Sequence, residues 1–259
     1  MKRTCMQTSI FAATLAIVFC LTAAVPAAPI VIDDFSTPNP APFFLVGINH
    51  DNALPVEQAG LAEAVGGERD ILAVVLGTPN PQSAQVLTGF EASLFVEGVF
   101  QVATAGNPAT SVTLQYDGTD TDGATLVNAR LLNLDLTGGG MNDELAIDFI
   151  SVDAPGAPGL DLLISLSSPG GTATLTDIVP ESGSPFTHVT SFAAFAADPG
   201  FSFKNVDSIE LVFNGPGVMD VDFAIGRIQA VPEPSTAALW VAGLAALLSA
   251  RRRRTESAV

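Results

Sequence analysis

The chain has 259 residues, 48% of them hydrophobic, and a formal net charge of −17. Six of the ten basic residues lie at the two ends: Lys2, Arg3, Arg251, Arg252, Arg253 and Arg254. Between residues 28 and 230 there are 25 acidic residues and four basic ones, a net charge of −21. A body this acidic would repel a phosphate backbone, which excludes a nucleic-acid binder. The hydrophobic content excludes general disorder, because it is enough to fill a core.

The N-terminus has the three parts of a secretory signal peptide. Lys2 and Arg3 precede an apolar run over residues 10–21, and residues 25–27 supply small or β-branched side chains before a cleavage position. We therefore predict a signal peptide over residues 1–27. Both cysteines, Cys5 and Cys20, lie within it, so the mature protein has no disulfide and depends on its core or on a metal for stability.

The C-terminus also has three parts in a fixed order. The short motif Pro232, Glu233, Pro234 precedes an apolar run over residues 236–250, which precedes the arginines at 251–254. As a helix the run would measure about 22 Å, short of the ~30 Å hydrocarbon core of a bilayer. Snorkelling arginines and Trp240 at an interface would supply part of the difference. The positive-inside rule keeps both basic ends in the cytoplasm and places the acidic body outside.

This tail resembles the PEP-CTERM sorting signal, at the terminal position where that signal belongs. In that family an exosortase, an integral-membrane cysteine protease-transpeptidase, recognises the Pro-Glu-Pro motif, the short span and the basic cluster. The resemblance covers residues 231–254 and implies that Pro232, Glu233 and Pro234 are substrate residues of an exosortase. It also implies a Gram-negative-type envelope and exopolysaccharide production. The alternative is an ordinary tail anchor that follows a proline-rich linker.

Between the two ends the dominant pattern is alternation of apolar and polar residues with period two, which is typical of β-strands. The clearest segments are 111–116, 132–136, 145–149, 160–166, 172–176, 209–213 and 221–225. Turn-forming glycine, proline and asparagine residues separate them. We predict an all-β fold for residues 28–230, an antiparallel, jelly-roll-like β-sandwich of about 8 to 11 strands. Around residues 32–35, 116–118 and 221–225 the body resembles β-sandwich ectodomains found before this tail and, faintly, jelly-roll carbohydrate-binding modules.

The body has no recognisable catalytic motif. It has no nucleophile elbow, phosphate loop, dinucleotide fingerprint or zinc-binding His-Glu-x-x-His. Its only histidines, His50 and His188, lie far apart in the sequence, and 25 acidic residues make many accidental carboxylate pairs. The mature body has one tyrosine and no tryptophan, the residues that sugar-stacking platforms usually use. We predict that the protein is not an enzyme and has no catalytic residues.

One acidic loop has a composition suited to a metal. Asp117, Asp120 and Asp122 place three carboxylates within six residues of a loop that contains Gly118 and Gly123. Calcium prefers such oxygen ligands, although the spacing departs from the EF-hand pattern. The loop is equally consistent with a solvated acidic hairpin.

Two further charged clusters have simpler interpretations. Jelly rolls often pair their terminal strands, so Asp33-Asp34 and Asp220-x-Asp222 would lie close enough to hold a second structural ion. In the run Glu68-Arg69-Asp70 we expect a local ion pair and no binding site.

These observations predict an exported surface or extracellular-matrix protein with a structural or adhesive role, sorted by an exosortase. It is first anchored in the cytoplasmic membrane with its body outside and residues 255–259 inside, and then reaches the cell surface or matrix. One alternative is a carbohydrate-binding module that retains exopolysaccharide, and a second is a cryptic polysaccharide hydrolase. The expected partners are the exosortase, the membrane as a transient anchor, and exopolysaccharide.

Overall fold

The computed structural model describes residues 28–36, 43–47, 52–76, 82–88, 98–105, 109–119 and 131–232. In chain order the strands are β1 (Ile30–Asp33), β2 (Phe43–Gly47), β3 (Asn52–Ala59), β4 (Glu68–Leu76), β5 (Gln82–Thr88), β6 (Phe100–Ala105), β7 (Ala109–Tyr116), β8 (Glu144–Asp153), β9 (Leu160–Ser168), β10 (Gly171–Val179), β11 (Phe186–Ser191), β12 (Ala196–Ala197), β13 (Ser208–Phe213) and β14 (Asp222–Val231). Single turns of 3-10 helix occupy Val65–Gly67 and Phe192–Ala194.

The strands form two seven-stranded antiparallel sheets. Sheet I has the order β11-β8-β14-β6-β5-β2, with β1 paired to the second half of β14. Sheet II has the order β12-β10-β9-β13-β7-β4-β3. Strands that lie next to each other in a sheet are mostly distant in sequence, as in jelly rolls. The predicted all-β, antiparallel, jelly-roll-like sandwich is therefore confirmed.

The alternating segments of the sequence supply the core. In sheet II, Ile164, Leu211, Leu114 and Ile71 lie opposite one another on β9, β13, β7 and β4, and all four are buried. Each such side chain stabilises the fold by about 1.5–3 kcal/mol when it leaves water. The register is fixed because a slip of one residue would turn this row toward solvent.

Aromatic rings join the two sheets across this core. The Phe213 ring on β13 lies 5.0 Å from the Phe223 ring on β14, and Phe223 lies 6.1 Å from Phe100 on β6. Phe35, directly after β1, stacks on Phe100 at 5.6 Å. These four phenylalanines thus pack the two sheets together.

The structure differs from the sequence prediction in two respects. The fourteen strands of the described residues exceed the predicted number, because β1 to β6 form without a long alternating pattern. The alternating segment 132–136 is not a strand. Asn133 has a positive φ of 55°, and Leu134 makes only an isolated bridge to Val206. The Asp135 carboxylate accepts the backbone N–H groups of Thr137 and Gly139, which turns the chain.

Long connections cluster at one end of the sandwich, which we call the tail end. This end contains the start of β1, the end of β14, the connections 60–67 and 192–207, and the described parts 117–119 and 131–143 of the connection between β7 and β8. Residues 132–136 run beside residues 203–207, since Leu132, Leu134 and Leu136 donate backbone hydrogen bonds to Asp207, Val206 and Phe203.

Among the described residues no helix is both long and apolar enough to cross a membrane. The predicted signal peptide at 1–27 and the apolar run at 236–250 lie outside those residues. Both remain predictions.

The turn between β9 and β10 depends on a contact between two glycines. A Cβ on Gly170 would lie 2.0 Å from the carbonyl oxygen of Gly200, whereas a Cβ on Gly183 would meet nothing within 4 Å. We expect Gly170→Ala to lower the free energy of unfolding by about 1–3 kcal/mol, because the backbone must move to relieve the overlap. Gly183→Ala is the matched control and should change it by less than about 0.5 kcal/mol. Chemical denaturation measures both, and equal values would contradict this packing.

Candidate functional site

The sorting segment predicted from the sequence begins inside the folded body. β14 ends at Val231, which lies opposite Glu144 of β8, and the Val231 carbonyl accepts the Asp143 N–H at 3.2 Å. Ala230, one residue earlier, is fully buried and lies between Ile30 of β1 and Leu145 of β8. Almost no chain therefore separates the sandwich from the predicted motif.

Pro232 is half-buried and directly follows β14. It has no backbone N–H, so it cannot extend the ladder by donating to a neighbouring strand. β14 therefore ends at Val231, directly before this proline. Glu233, Pro234 and the arginines at 251–254 lie outside the described residues, and their roles remain predictions.

A buried polar cluster lies between the sheets near the tail end. The Arg69 Nη1 atom of β4 donates to the Asp33 Oδ2 atom of β1 at 2.5 Å, and both side chains are fully buried. Tyr116 of β7 donates its hydroxyl to the same Asp33 oxygen at 2.8 Å. The Arg69 Nε and Nη2 atoms donate to Gln58 Oε1 of β3, and the guanidinium lies 5.1 Å from the Phe35 ring centre. These contacts join β1 of sheet I to three strands of sheet II.

Burial controls the protonation of this cluster. Burial raises the pKa of the Asp33 carboxyl above its ordinary value, and the Arg69 guanidinium offsets only part of this effect. Burial, together with the Asp33 carboxylate, raises the pKa of Tyr116 well above its ordinary value, so its hydroxyl remains a donor. Since the pKa of Asp33 is raised on folding, its contribution to stability is present below the unfolded pKa and is lost as pH rises through the folded pKa.

The expected local ion pair in residues 68–70 is wrong. The partner of Arg69 is Asp33, which is 36 residues away in the sequence. Arg69 points into the sandwich, as do Ile71 and Ala73 of the same strand. Glu68 and Asp70 alternate with these residues along the strand and therefore face the other side of the sheet. Sequence reasoning missed this cluster because nothing local marks which arginine is buried.

The second expected ion site is also wrong. The terminal strands do pair, but Asp33 lies opposite Ile228, whereas Asp222 lies opposite Asp153 at the other end of β14. Six residues of strand separate these positions, about 20 Å. The Asp222 carboxylate accepts hydrogen bonds from the backbone and hydroxyl of Thr104. The two acidic pairs therefore cannot share an ion.

The acidic loop begins in the folded body. Asp117 is 1% exposed, and its Oδ2 atom accepts the side-chain amide of Gln115 at 3.0 Å. The Asp117 carbonyl accepts the Leu131 N–H at 2.7 Å, which brings the two ends of the loop together. Asp120 and Asp122 lie outside the described residues, and within those residues no group of three His, Cys, Asp or Glu side chains could hold a metal. Calcium binding by this loop remains a prediction.

One histidine lies at the open edge between the sheets. His188 Nε2 on β11 of sheet I lies 3.0 Å from Asp177 Oδ2 on β10 of sheet II. The pair therefore spans the sandwich beside an edge strand. His50, the other histidine, lies outside the described residues.

Residues 230–254 match the family model described as PEP-CTERM protein-sorting motif. The chain carries a PEP-CTERM sorting signal. This motif indicates an exported protein that is processed by an exosortase. The matched segment starts at Ala230, one residue before β14 ends and two residues before Pro232, so the PEP-CTERM signal and the sandwich share their junction.

Several solved structures are similar to the chain in fold. The Family 11 carbohydrate-binding module of cellulosomal cellulase Lic26A-Cel5E of Clostridium thermocellum has 11% identity and a TM-score of 0.37, covering 80% of this chain and 96% of that module. The same family from Clostridium thermocellum in complex with a beta-1,3-1,4-mixed-linked tetrasaccharide has 12% identity and a TM-score of 0.35, covering 71% and 97%.

A Family 12 xyloglucanase from Bacillus licheniformis has 11% identity and a TM-score of 0.24, covering 69% of this chain and 99% of the enzyme. These likenesses are too remote to indicate a ligand or an activity. No curated protein sequence matches the chain.

Substitutions of Asp33 and Arg69 should be strongly coupled in their effect on the free energy of unfolding. Arg69→Met leaves a buried carboxylate without its cation, and Asp33→Asn leaves a buried cation, so each should lower the free energy of unfolding by about 3–5 kcal/mol. The double variant should lose clearly less than the sum of the two. Urea denaturation of the four proteins measures this, with Lys204→Met, which removes an exposed charge, as the control. Additive effects would show that the pair does not act as a unit.

Proposed function

We propose that the protein is a surface or extracellular-matrix component with a structural or adhesive role and without catalytic activity. An exosortase sorts and processes it through the PEP-CTERM signal. The observation that carries this proposal is the match at residues 230–254, placed directly at the end of the body's last strand. The signal thus directly follows the folded sandwich that the described residues form.

The chemistry of the motif supports a role as a substrate. Pro232 and Pro234 fix φ near −65°, about the value of polyproline II, and neither can continue a helix. The backbone of Glu233 between them is thereby kept extended, in the form that a protease groove binds. The apolar run would hold the protein in the cytoplasmic membrane until this peptide is processed, while the arginines at 251–254 stay inside.

The surface of the body favours a structural role over sugar stacking. The chain has one tyrosine, Tyr116, which is fully buried and donates its hydroxyl to Asp33. Among the described residues the exposed large hydrophobic side chains are aliphatic: Leu131, Met141, Ile178, Val189 and Met219. Sugar rings stack on exposed aromatic faces, which this part of the chain does not offer. The charge of the body also keeps neighbouring copies apart and hydrated.

A second candidate is binding of exopolysaccharide by hydrogen bonds. On the outer face of sheet II, Thr174, Ser165 and Glu210 lie opposite one another on β10, β9 and β13 and are partly or fully exposed, whereas Gln115 and Asp70, which continue the row, are buried. The hydroxyl and carboxylate groups of the first three residues match the hydrogen-bonding groups of a sugar chain. Retention of a soluble polysaccharide by the exported protein would favour this candidate over the structural one. No contact among the described residues supports the third candidate, a polysaccharide hydrolase.

Replacing Pro232, Glu233 and Pro234 together with alanine tests the sorting proposal. Alanine favours helix, so the apolar helix would extend outward and remove the extended peptide. We expect the variant to stay in the membrane fraction at full length, measured by immunoblotting of fractions from the native host. The body contains the same Val-Pro-Glu order at residues 179–181, where the exposed Pro180 and Glu181 directly follow β10, which provides a matched control. Pro180→Ala with Glu181→Ala should be processed normally. Release and trimming of the motif variant at the parental rate would overturn the proposal.

A further inference from the structure

The tail end carries exposed apolar side chains next to the sorting motif. Met141 is 57% exposed and stands two residues before Asp143, whose N–H binds the Val231 carbonyl. Two residues of chain place the Met141 backbone within about 7 Å of Asp143. Leu131, 62% exposed, lies at the same end beside Asp117. Both apolar side chains are thus exposed at the end of the sandwich from which the sorting motif leaves.

The tether between this end and the predicted anchor is very short. Three residues, 233–235, separate Pro232 from the apolar run that starts at residue 236. Fully extended, three residues span roughly 10 Å. The polar headgroup layer on each side of the hydrocarbon core is itself about 5–7 Å thick. If the run is embedded, the tail end cannot lie far above the headgroups.

We propose that in the anchored, unprocessed protein the tail end of the sandwich is a docking surface for the lipid headgroup layer. Met141 and Leu131 are its contact residues. This inference rests on the proposed function, because it requires the apolar run to be in the membrane. Two apolar side chains alone would bind a bilayer only weakly. The short tether compensates, because it holds the tail end at a high effective concentration near the headgroup layer.

The charges at this end select the kind of headgroup it can meet. Lys204, one of the four basic residues of the body, is exposed, and the Thr137 hydroxyl and, to a smaller extent, Lys204 lower the pKa of Asp135. Acidic residues lie at this end as well: Glu63, Asp135, Asp143 and Asp198. A zwitterionic headgroup layer therefore fits this end better than an anionic one, which would repel these carboxylates within ~8 Å at physiological salt.

A matched pair of methionines makes the proposal testable. Met219 is 61% exposed but lies just before β14, bridged to Ala109 at the start of β7. The nine residue steps of β14 place it about 30 Å from the tail end. Met141→Cys and Met219→Cys, each in a full chain with Cys5→Ser and Cys20→Ala, would be labelled with the same fluorophore. The unprocessed proteins would be placed in phosphatidylcholine vesicles that contain a headgroup nitroxide lipid.

We expect loss of fluorescence from the label at residue 141 and none from the label at residue 219. Equal fluorescence at both positions would overturn the docking surface. An insertion of twelve Gly and Ser residues between Val231 and Pro232 adds a tether of about 17–21 Å and should restore the signal at residue 141. A signal that stays quenched despite the insertion would contradict the tether geometry.

The single tryptophan separates failure of this inference from failure of the proposed function. Trp240 lies in the apolar run, and lipids brominated on their acyl chains quench tryptophan only inside the bilayer. Quenched Trp240 with an unquenched label at residue 141 refutes the docking surface alone. Unquenched Trp240 refutes the anchor, and the docking surface with it.

Discussion

A buried ion pair links the two sheets near the point where the chain leaves the body. Arg69 reaches from sheet II to Asp33 on β1, and Tyr116 and Gln58 satisfy the remaining polar groups. A buried pair of this kind adds little net stability compared with apolar residues, but each partner alone would be very costly. The effect of the pair is therefore to fix the position of β1 relative to sheet II. β1 can lie only where its aspartate meets the arginine, and β1 in turn forms one border of β14.

The location of β14 gives the sorting signal its structural context. This strand pairs with β8 along its whole length, with β6 at its start and with β1 at its end. The peptide that the proposed function assigns to an exosortase starts directly after its last paired residue, next to the folded body. On that proposal, processing of the signal and integrity of the sandwich are coupled through one strand. The same short connection is what would keep the tail end close to the lipid.

The sequence predicts features that depend on a local pattern, but it does not predict contacts between residues that are far apart along the chain. Alternation in segments such as 160–166 and 209–213 predicted strands, because one face of each strand must be apolar, and the order of the tail predicted the sorting signal. The same rule failed at 132–136, where a positive φ at Asn133 and the Asp135 turn override the alternation. Neither the pairing of Arg69 with Asp33 nor the separation of Asp33 from Asp222 follows from any local feature, since both depend on strand register. The roles of Asp120 and Asp122 depend on a loop conformation that the sequence does not specify.

The central claim is that the PEP-CTERM signal is removed from an exported sandwich. Intact-mass spectrometry of the mature protein purified from its native host tests this most directly. The account predicts a chain that starts at residue 28 and ends near residues 232–234, with the arginines at 251–254 absent. A mature protein that still contains the chain through residue 259 would contradict it.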